Sequence, residues 1–277
     1  MPELPDLLHI RNRLEARLKG RIVTSERVRE PVVMRFAVRG NLSLLLGRPL
    51  EQVGRRGAAI LLRFEGFDLA VDPMLAGRFR FAEPGEKDPA SLAFALGFGD
   101  VELRYLDDKK MGKAYLIVAG DFGAIPALRA GGADILSHEF SRERFVSLLR
   151  RRRDQVRAFL LDKKALDTIG NAYADEILFE AGIHPKTWCR AIDHDGAVRL
   201  HAAIVSVMKA AIDEVARRDE PLDVKVRDFL KVRLKDTCPR CGSRLRTAGV
   251  KGMDAYFCPT CQPATRPGFL DWRKTGV

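Results

Sequence analysis

The sequence contains no run of 18 or more apolar residues, so no segment is expected to cross a bilayer as a helix. Its first residues, Met1-Pro2-Glu3-Leu4-Pro5-Asp6, are acidic where a secretory leader would be basic and then apolar, which argues against a signal peptide. There is no internal repeat and no low-complexity stretch, so solenoids and long linkers are not expected. Negative charge is the scarcer sign, with 37 Asp+Glu against 48 Lys+Arg and a net charge of +11. That imbalance points to a polyanionic partner, nucleic acid before a membrane surface. With 46% hydrophobic residues, the 277-residue chain has enough apolar mass for a substantial core, which excludes wholesale disorder. Length alone suggests about two domains with room for a small module. The expectation is a soluble, cytoplasmic protein.

Cysteine is sparse, at 5 residues, yet four of them form one pattern. Cys238-Pro-Arg-Cys241 and Cys258-Pro-Thr-Cys261 are two C-x2-C pairs separated by residues 242–257. Each pair presents two thiolates, and two pairs complete a tetrahedron around one structural Zn2+, with a spacer long enough for a β-hairpin. Two disulfides of a secreted protein are the competing reading, and nothing here directs secretion. All four ligand positions are thiolates, so the zinc has no open position for catalysis. Cys189 is left over and reads as a small buried hydrophobe.

Along the chain, Leu7, Ile10, Leu14 and Leu18 recur at helical spacing and predict a helix that begins within the first few residues and ends near Gly20. From Arg21 to about Gly123, short apolar stretches such as 59–64 and 101–105 are broken by Gly, Pro and Asp, which predicts a β-sandwich or barrel. From about Gly131 the period becomes helical. Phe145, Leu148 and Leu149 mark one helix, and Val156, Phe159 and Leu160 a second. Tyr173, Ile177 and Leu178 mark a third that stops at Gly182, and Ile204, Met208, Ile212 and Val215 a long fourth. The implied division is 1–130, 131–235, a zinc module at 236–265 and a loosely ordered tail at 266–277. Arg150 to Arg153 form the longest basic run, either a solvated helix end whose cations suit the helix dipole or a phosphate contact.

Three separated motifs carry a resemblance. The start Met1 to Asp6 resembles that of the formamidopyrimidine-DNA glycosylase and endonuclease VIII family of base-excision repair enzymes. Residues Asp162 to Pro185, including Ile169-Gly170-Asn171-Ala172-Tyr173 and Ala181-Gly182-Ile183-His184-Pro185, resemble its helix-two-turns-helix DNA-binding element. The four cysteines resemble its zinc-finger hairpin. The resemblance spans nearly the whole chain and implies an α+β, multidomain protein: an N-terminal β-sandwich with an N-terminal helix, a helical helix-two-turns-helix domain and a C-terminal zinc-finger β-hairpin. It implies a DNA glycosylase, working as a monomer on double-stranded DNA that contains a damaged base.

For the chemistry, the resemblance implies that loss of Met1 exposes Pro2, whose amine attacks the sugar, and that Glu3 manages protons. An α-amine with a pKa near 8 is partly neutral at cellular pH. Without the other motifs, Pro2-Glu3 would read as an ordinary helix start, with a proline and a helpful acid in the first turn. Gly170-Asn171 opens a helix where backbone N–H groups and the Asn amide suit a phosphate; Asn171 also reads as a simple N-cap. Leu75 and the loop Asp107 to Gly112, with Lys109, Lys110 and Met111, stand where the family has the side chains that fill the gap left by a flipped base. Leu75 is in place of the usual Met, and Lys109 and Met111 keep cationic or apolar character while losing the guanidinium and the stacking aromatic of the usual Arg-x-Phe. Leu75 alone also reads as a core residue. Lys251, with Arg244 and Arg246, places charge on the zinc hairpin. Base preference is expected to depend on loop shape, especially after Pro185 toward His194.

Three further positions depart from the family pattern. Ala58 stands where Lys is usual, Met253 where a phosphate-binding Arg is usual, and Asp6 where Glu is usual. Each lost cation removes a charge-assisted hydrogen bond of roughly 1.5–3 kcal/mol. AP-lyase incision of the strand is therefore expected to be weak or absent. Two further readings stay open: a glycosylase for bulky or alkylated bases, and a non-catalytic damage sensor.

Overall fold

The computed structural model describes residues 1–129 and 131–264; the expected tail at 266–277 lies outside the described residues. The chain divides into two units, Met1–Ala130 with Ile212–Val226, and Gly131–Ala211 with the chain from Arg227 onward.

In the first unit, helix α1 (Leu4–Leu18) turns Leu4, Leu7, Ile10, Leu14 and Leu18 inward, and its end passes into Gly20 at φ +79°, a left-handed turn that glycine adopts without strain. Nine strands follow: β1 (Ser25–Val28), β2 (Met34–Phe36), β3 (Leu50–Arg56), β4 (Ala59–Phe64), β5 (Phe67–Asp72), β6 (Arg78–Ala82), β7 (Leu92–Gly97), β8 (Glu102–Leu106) and β9 (Lys113–Val118). They form two sheets, ordered β1-β7-β8-β6 and β2-β9-β5-β4-β3. All pairings are antiparallel except β2 with β9. This is the expected sandwich.

Strand β4 shows why its sequence reads as a continuous apolar run rather than an alternation. Ile60, Leu62 and Phe64 enter the main core with Leu7, Leu14, Leu69, Phe79, Phe94 and Leu103. Ala59 and Leu61 point the other way and are covered, with Tyr115 and Ile117, by Leu128 and the partly buried Phe122 and Ile125. A strand buried on both faces has no polar side to write into the sequence. Leu222, 7% exposed, joins the same main core, which anchors the 212–226 segment to this unit.

In the second unit, α2 (Arg142–Arg150) begins at Ser141, whose hydroxyl accepts the Arg144 N–H at 3.2 Å. Then come α3 (Val156–Leu160), two turns through 161–170, and α4 (Asn171–Ala181). Helix α4 ends as expected at Gly182, φ +69°, where the Ile183 N–H reaches back to the Leu178 carbonyl at 3.0 Å. The long α5 (His194–Arg218) follows. Strands β10 (Arg246–Val250) and β11 (Met253–Phe257) form the hairpin. Gln262, fully buried, donates to the Ile183 carbonyl at 2.8 Å and accepts the Cys258 N–H at 2.9 Å, tying the cysteine module to the end of α4. Among the described residues no helix is long and apolar enough to cross a membrane.

Candidate active site and nucleic-acid interface

In the first unit the N-terminus is drawn into a cavity. Glu3 takes the N-cap position of α1 with extended backbone, and the Asp6 carboxylate accepts the Glu3 N–H at 2.8 Å. The helpful acid of the first turn is thus Asp6, one carbon shorter than the usual Glu and still able to reach. Pro2 and Glu3 are both buried, Glu3 at 8% exposure. The Met1 amine donates to the Leu75 carbonyl at 3.2 Å. Its pKa is lowered to about 6, first by burial and then by the Lys225 ammonium, against the opposing pull of Glu3 and Asp6. Pro2, Asp6, His9, Gly77, Arg78 and Lys225 line the cavity.

The two loops expected to probe a base gap stand beside the sandwich. Leu75 is 53% exposed, so its core reading is wrong; its neighbour Met74, at φ +48°, turns the chain so that residue 75 projects outward. Met111 is 41% exposed. Asp107, 1% exposed, organises its loop by accepting the Lys109 N–H at 3.1 Å and the Gly112 N–H at 2.6 Å. Lys109 is exposed, whereas Lys110 is paired with Glu30 at 2.9 Å. Tyr105 lies between the loops. A Cβ on either Gly77 or Gly112 would sit 2.0 Å from its hydroxyl oxygen, so glycine is required at both positions.

In the second unit, Gly170 and not Asn171 is the N-cap of α4, which corrects the capping reading. Asn171 is the first helical residue, and its amide is held between two partners. Its Oδ1 accepts from Arg157 at 3.1 Å, and its Nδ2 points to the Met253 sulfur at 3.4 Å. The structure therefore brings Asn171 and the departure at 253 together on one surface. Lys251 and Gly252, at φ +49° and +77°, form the tight turn joining β10 to β11, and Lys251 is exposed.

Beneath that surface lies a network the sequence reading missed. Arg157, fully buried, donates to Asp175 at 2.8 Å and to the Asp254 carbonyl at 3.1 Å. Arg233 donates to the other Asp175 oxygen at 2.7 Å and to the same carbonyl at 3.1 Å. Glu176 accepts the N–H groups of Lys231, Val232 and Arg233 at 2.8, 2.9 and 2.9 Å, doing for that irregular segment what a neighbouring strand would do. Burial raises the Glu176 pKa while those three bonds oppose the rise. The available signal was charge inside apolar stretches, Arg157 in 156–160 and Asp175-Glu176 in 171–181. Charges rarely sit there without partners.

Other expectations sort as follows. Arg152 of the basic run is bound by Asp154 at 2.7 Å and Asp162 at 2.8 Å, while Arg151 and Arg153 are exposed. Cys189 is buried and its thiol is pushed up to about 12, chiefly by burial. The segment after Pro185 is not a free reading loop. Trp188 pairs with Gln155, and the Cys189 N–H binds the Asp154 carbonyl at 3.0 Å. The cavity at Pro2 is lined instead by 222–226, which carry no motif. Ala58, in the turn joining β3 to β4, packs half-buried on the sandwich core, a place where a small apolar side chain fits.

The four cysteine sulfurs lie within 4.8 Å of one another. Cys238 and Cys261 approach to 3.9 Å and Cys241 and Cys258 to 3.5 Å, too far for disulfides. A tetrahedral zinc with Zn–S of about 2.3 Å separates adjacent sulfurs by about 3.8 Å, so the donor set fits. Cys238, Cys241, Cys258 and Cys261 can hold the ion, in a structural role.

Comparison with known proteins agrees along the chain. Residues 1–114 match the formamidopyrimidine-DNA glycosylase N-terminal domain, 132–219 its H2TH domain, and 235–264 the zinc finger found in FPG and IleRS. A formamidopyrimidine-DNA glycosylase of Desulforamulus reducens is 32% identical, over 95% of this chain and 100% of the relative. The Lactococcus lactis Fpg, solved in complex with DNA containing an abasic site, superimposes with a TM-score of 0.87 at 25% identity, covering 95% of this chain and 100% of that one. The same protein bound to DNA containing N7-benzyl-Fapy-dG gives 0.84 at 25% identity, with the same coverage. With matching domains in the same order as the N-terminal helix, the sandwich, the two-turn helical element and the four-cysteine hairpin, this chain belongs to the formamidopyrimidine-DNA glycosylase family.

Proposed function

We propose that this protein is a base-excision DNA glycosylase that flips a damaged base out of duplex DNA and cleaves its N-glycosidic bond with Pro2 and Glu3. The observation that carries this is the buried Pro2 in its cavity beside the buried Glu3, at a half-buried chain end whose amine donates to the Leu75 carbonyl and is lowered in basicity chiefly by burial. Removal of Met1 leaves the secondary amine of Pro2 as the chain end. Its lone pair attacks the deoxyribose C1′ as the bond to the base breaks, and the base leaves with that electron pair. Glu3 gives a proton to the ring oxygen as the C1′–O bond opens, the amine loses its own proton, and an iminium joins Pro2 to the sugar. Leu75 and Met111 fill the vacated stack, with Lys109 and Lys110 beside them. Gly170, Asn171 and Lys251 hold the phosphates, in keeping with the place of Gly170 and Asn171 at a helix start and of the exposed Lys251 at a hairpin turn. The protein acts as a cytoplasmic, nucleoid-associated monomer.

Borohydride trapping tests this on duplexes carrying an abasic site, oxidised or ring-opened purines, and alkylated bases. A covalent adduct with the processed protein, lost in Pro2→Gly and in Glu3→Gln, is the expected result. Absence of any adduct removes Pro2 as nucleophile and leaves the damage-sensor reading. Ala58 and Met253 support weak AP-lyase incision, and efficient β,δ-elimination would refute that part. A preference for bulky or alkylated bases is supported by the same two apolar positions, and the structural relative was solved with a benzylated lesion. Preference for 8-oxoguanine in the panel would count against it.

A further inference from the structure

The cavity at the N-terminus is closed on one side by 222–226, a segment that arrives from the far end of the chain and is anchored by Leu222 in the sandwich core. Lys225, on that segment, lines the same cavity as Pro2 and places its cation beside the N-terminal amine, which itself donates to the Leu75 carbonyl at 3.2 Å. Two like charges side by side in a partly buried cavity repel one another, so the Lys225 ammonium opposes protonation of the amine beside it. A neutral amine donates to the carbonyl with a hydrogen and keeps its lone pair. The arrangement therefore selects the form of the chain end that is able to attack carbon.

We infer that Lys225 is a positioning residue for the glycosylase step, its cation in the cavity keeping a second proton off the N-terminal amine and so leaving the lone pair free. The inference rests on the reading of Pro2 as nucleophile. When Met1 is removed the chain end withdraws by about 3.8 Å, one Cα step, to Pro2, which lines the same cavity as Lys225 and stays within the sweep of a four-carbon side chain. For the attack on C1′, no proton need first be removed by a separate base.

The other charged groups around the cavity do not substitute for Lys225. Glu3 and Asp6, at the start of α1, draw a proton toward the amine rather than away from it. His9 is engaged with the Glu220 carbonyl at 2.8 Å. Arg78, at the start of β6, is paired with Asp108 at 2.7 Å. Glu220 and Asp223, on the same segment as Lys225, are acidic. Burial is the largest cause of the lowered amine basicity, and Lys225 is the next. The removal of Lys225 should thus move the amine part of the way back toward its ordinary value near 8.

The experiment measures the rate of borohydride trapping on abasic-site duplex between pH 5 and 9 for the processed wild-type protein, Lys225→Gln and Lys225→Arg. The wild-type acid limb should lie well below pH 8. In Lys225→Gln it should move up by about one unit, so trapping at pH 5.5 falls roughly tenfold while the plateau at pH 9 is nearly kept. Lys225→Arg retains the cation and should restore the acid limb. A Lys225→Gln protein whose rate drops equally at every pH, with the midpoint unmoved, overturns the inference and assigns Lys225 a merely structural role. Wild-type protein that traps at no pH overturns instead the assignment of Pro2, so the two failures are distinguishable.

Discussion

Replacing Arg157 by methionine tests what holds the proposed DNA-binding surface together. Arg157 has no solvent exposure, and its guanidinium joins Asp175, Asn171 and the Asp254 carbonyl at 2.8, 3.1 and 3.1 Å. Removing one partner of a buried ion pair typically costs 3–5 kcal/mol, because a charge is left without compensation. Here Asp175 keeps Arg233 at 2.7 Å, and Asp254 keeps a donor from the same residue. The cost should therefore fall at the lower end, about 3 kcal/mol. Methionine conserves most of the stem volume, which separates loss of charge from loss of packing. Urea unfolding in the presence of zinc, followed by the fluorescence of Trp188 in this unit, measures the change. The function should suffer beyond the stability loss. Asn171 loses the donor that orients its amide, so affinity for undamaged duplex should fall about tenfold under conditions where the protein is folded, the loss of one charge-assisted hydrogen bond. Arg157→Met with Asp175→Leu supplies the check. The partly exposed Arg233 can return to water, so the double variant should be at least about 2 kcal/mol more stable than the sum of the single losses requires. A single-variant cost under about 1 kcal/mol, or strict additivity, would refute the network as described.

Three other outcomes follow from the structure. Cys258→Ser should release about one zinc per chain and impair DNA binding, since the donor set loses a fully buried thiolate; unchanged metal by elemental analysis contradicts the site. Gly112→Ala places a Cβ 2.0 Å from the Tyr105 hydroxyl and should cost about 1–3 kcal/mol in thermal unfolding. Because that hydroxyl is buried with no partner, Tyr105→Phe should be near neutral and should recover part of the loss, and the absence of recovery would place the strain elsewhere. His184 is buried, its Nδ1 accepts the Lys186 N–H at 3.2 Å, and its pKa is lowered to about 4 by burial and then by Lys186. The unfolded chain binds a proton at His184 below about pH 6.5 and the folded chain does not, so stability should drop as pH falls from 6.5 toward 4, by up to about 3 kcal/mol. Comparison with His184→Gln at each pH isolates that slope, and parallel profiles would exclude it.

The parts of this protein legible in its sequence are those whose cause is local. Helical spacing marks α1 from Leu7 to Leu18 and α4 from Tyr173 to Leu178, although α4 is buried on every side from Ala172 to Phe179. Gly20 and Gly182 mark helix ends because glycine enters the left-handed region freely, and the C-x2-C spacing prescribes two thiolates per turn. The zinc donors, the two-layer sandwich and the order of modules follow from such signals.

What only the tertiary structure decided depends on contacts between residues far apart in the chain. No pattern within reach of Ser, Asn or Gly caps could say that Gly170 rather than Asn171 caps α4, because the Asn171 amide is claimed by Arg157 and Met253. Nor could it say that Leu75 is exposed, which depends on the turn at Met74. The same holds for Lys225, which stands in an unremarkable stretch and meets the first residue of the chain only because Leu222 is buried in the sandwich core. A hydrophobic period or a metal spacing is repeated along the chain and can be read there. A single charge brought to a distant amine leaves no repeat, and its meaning exists only once the core has closed.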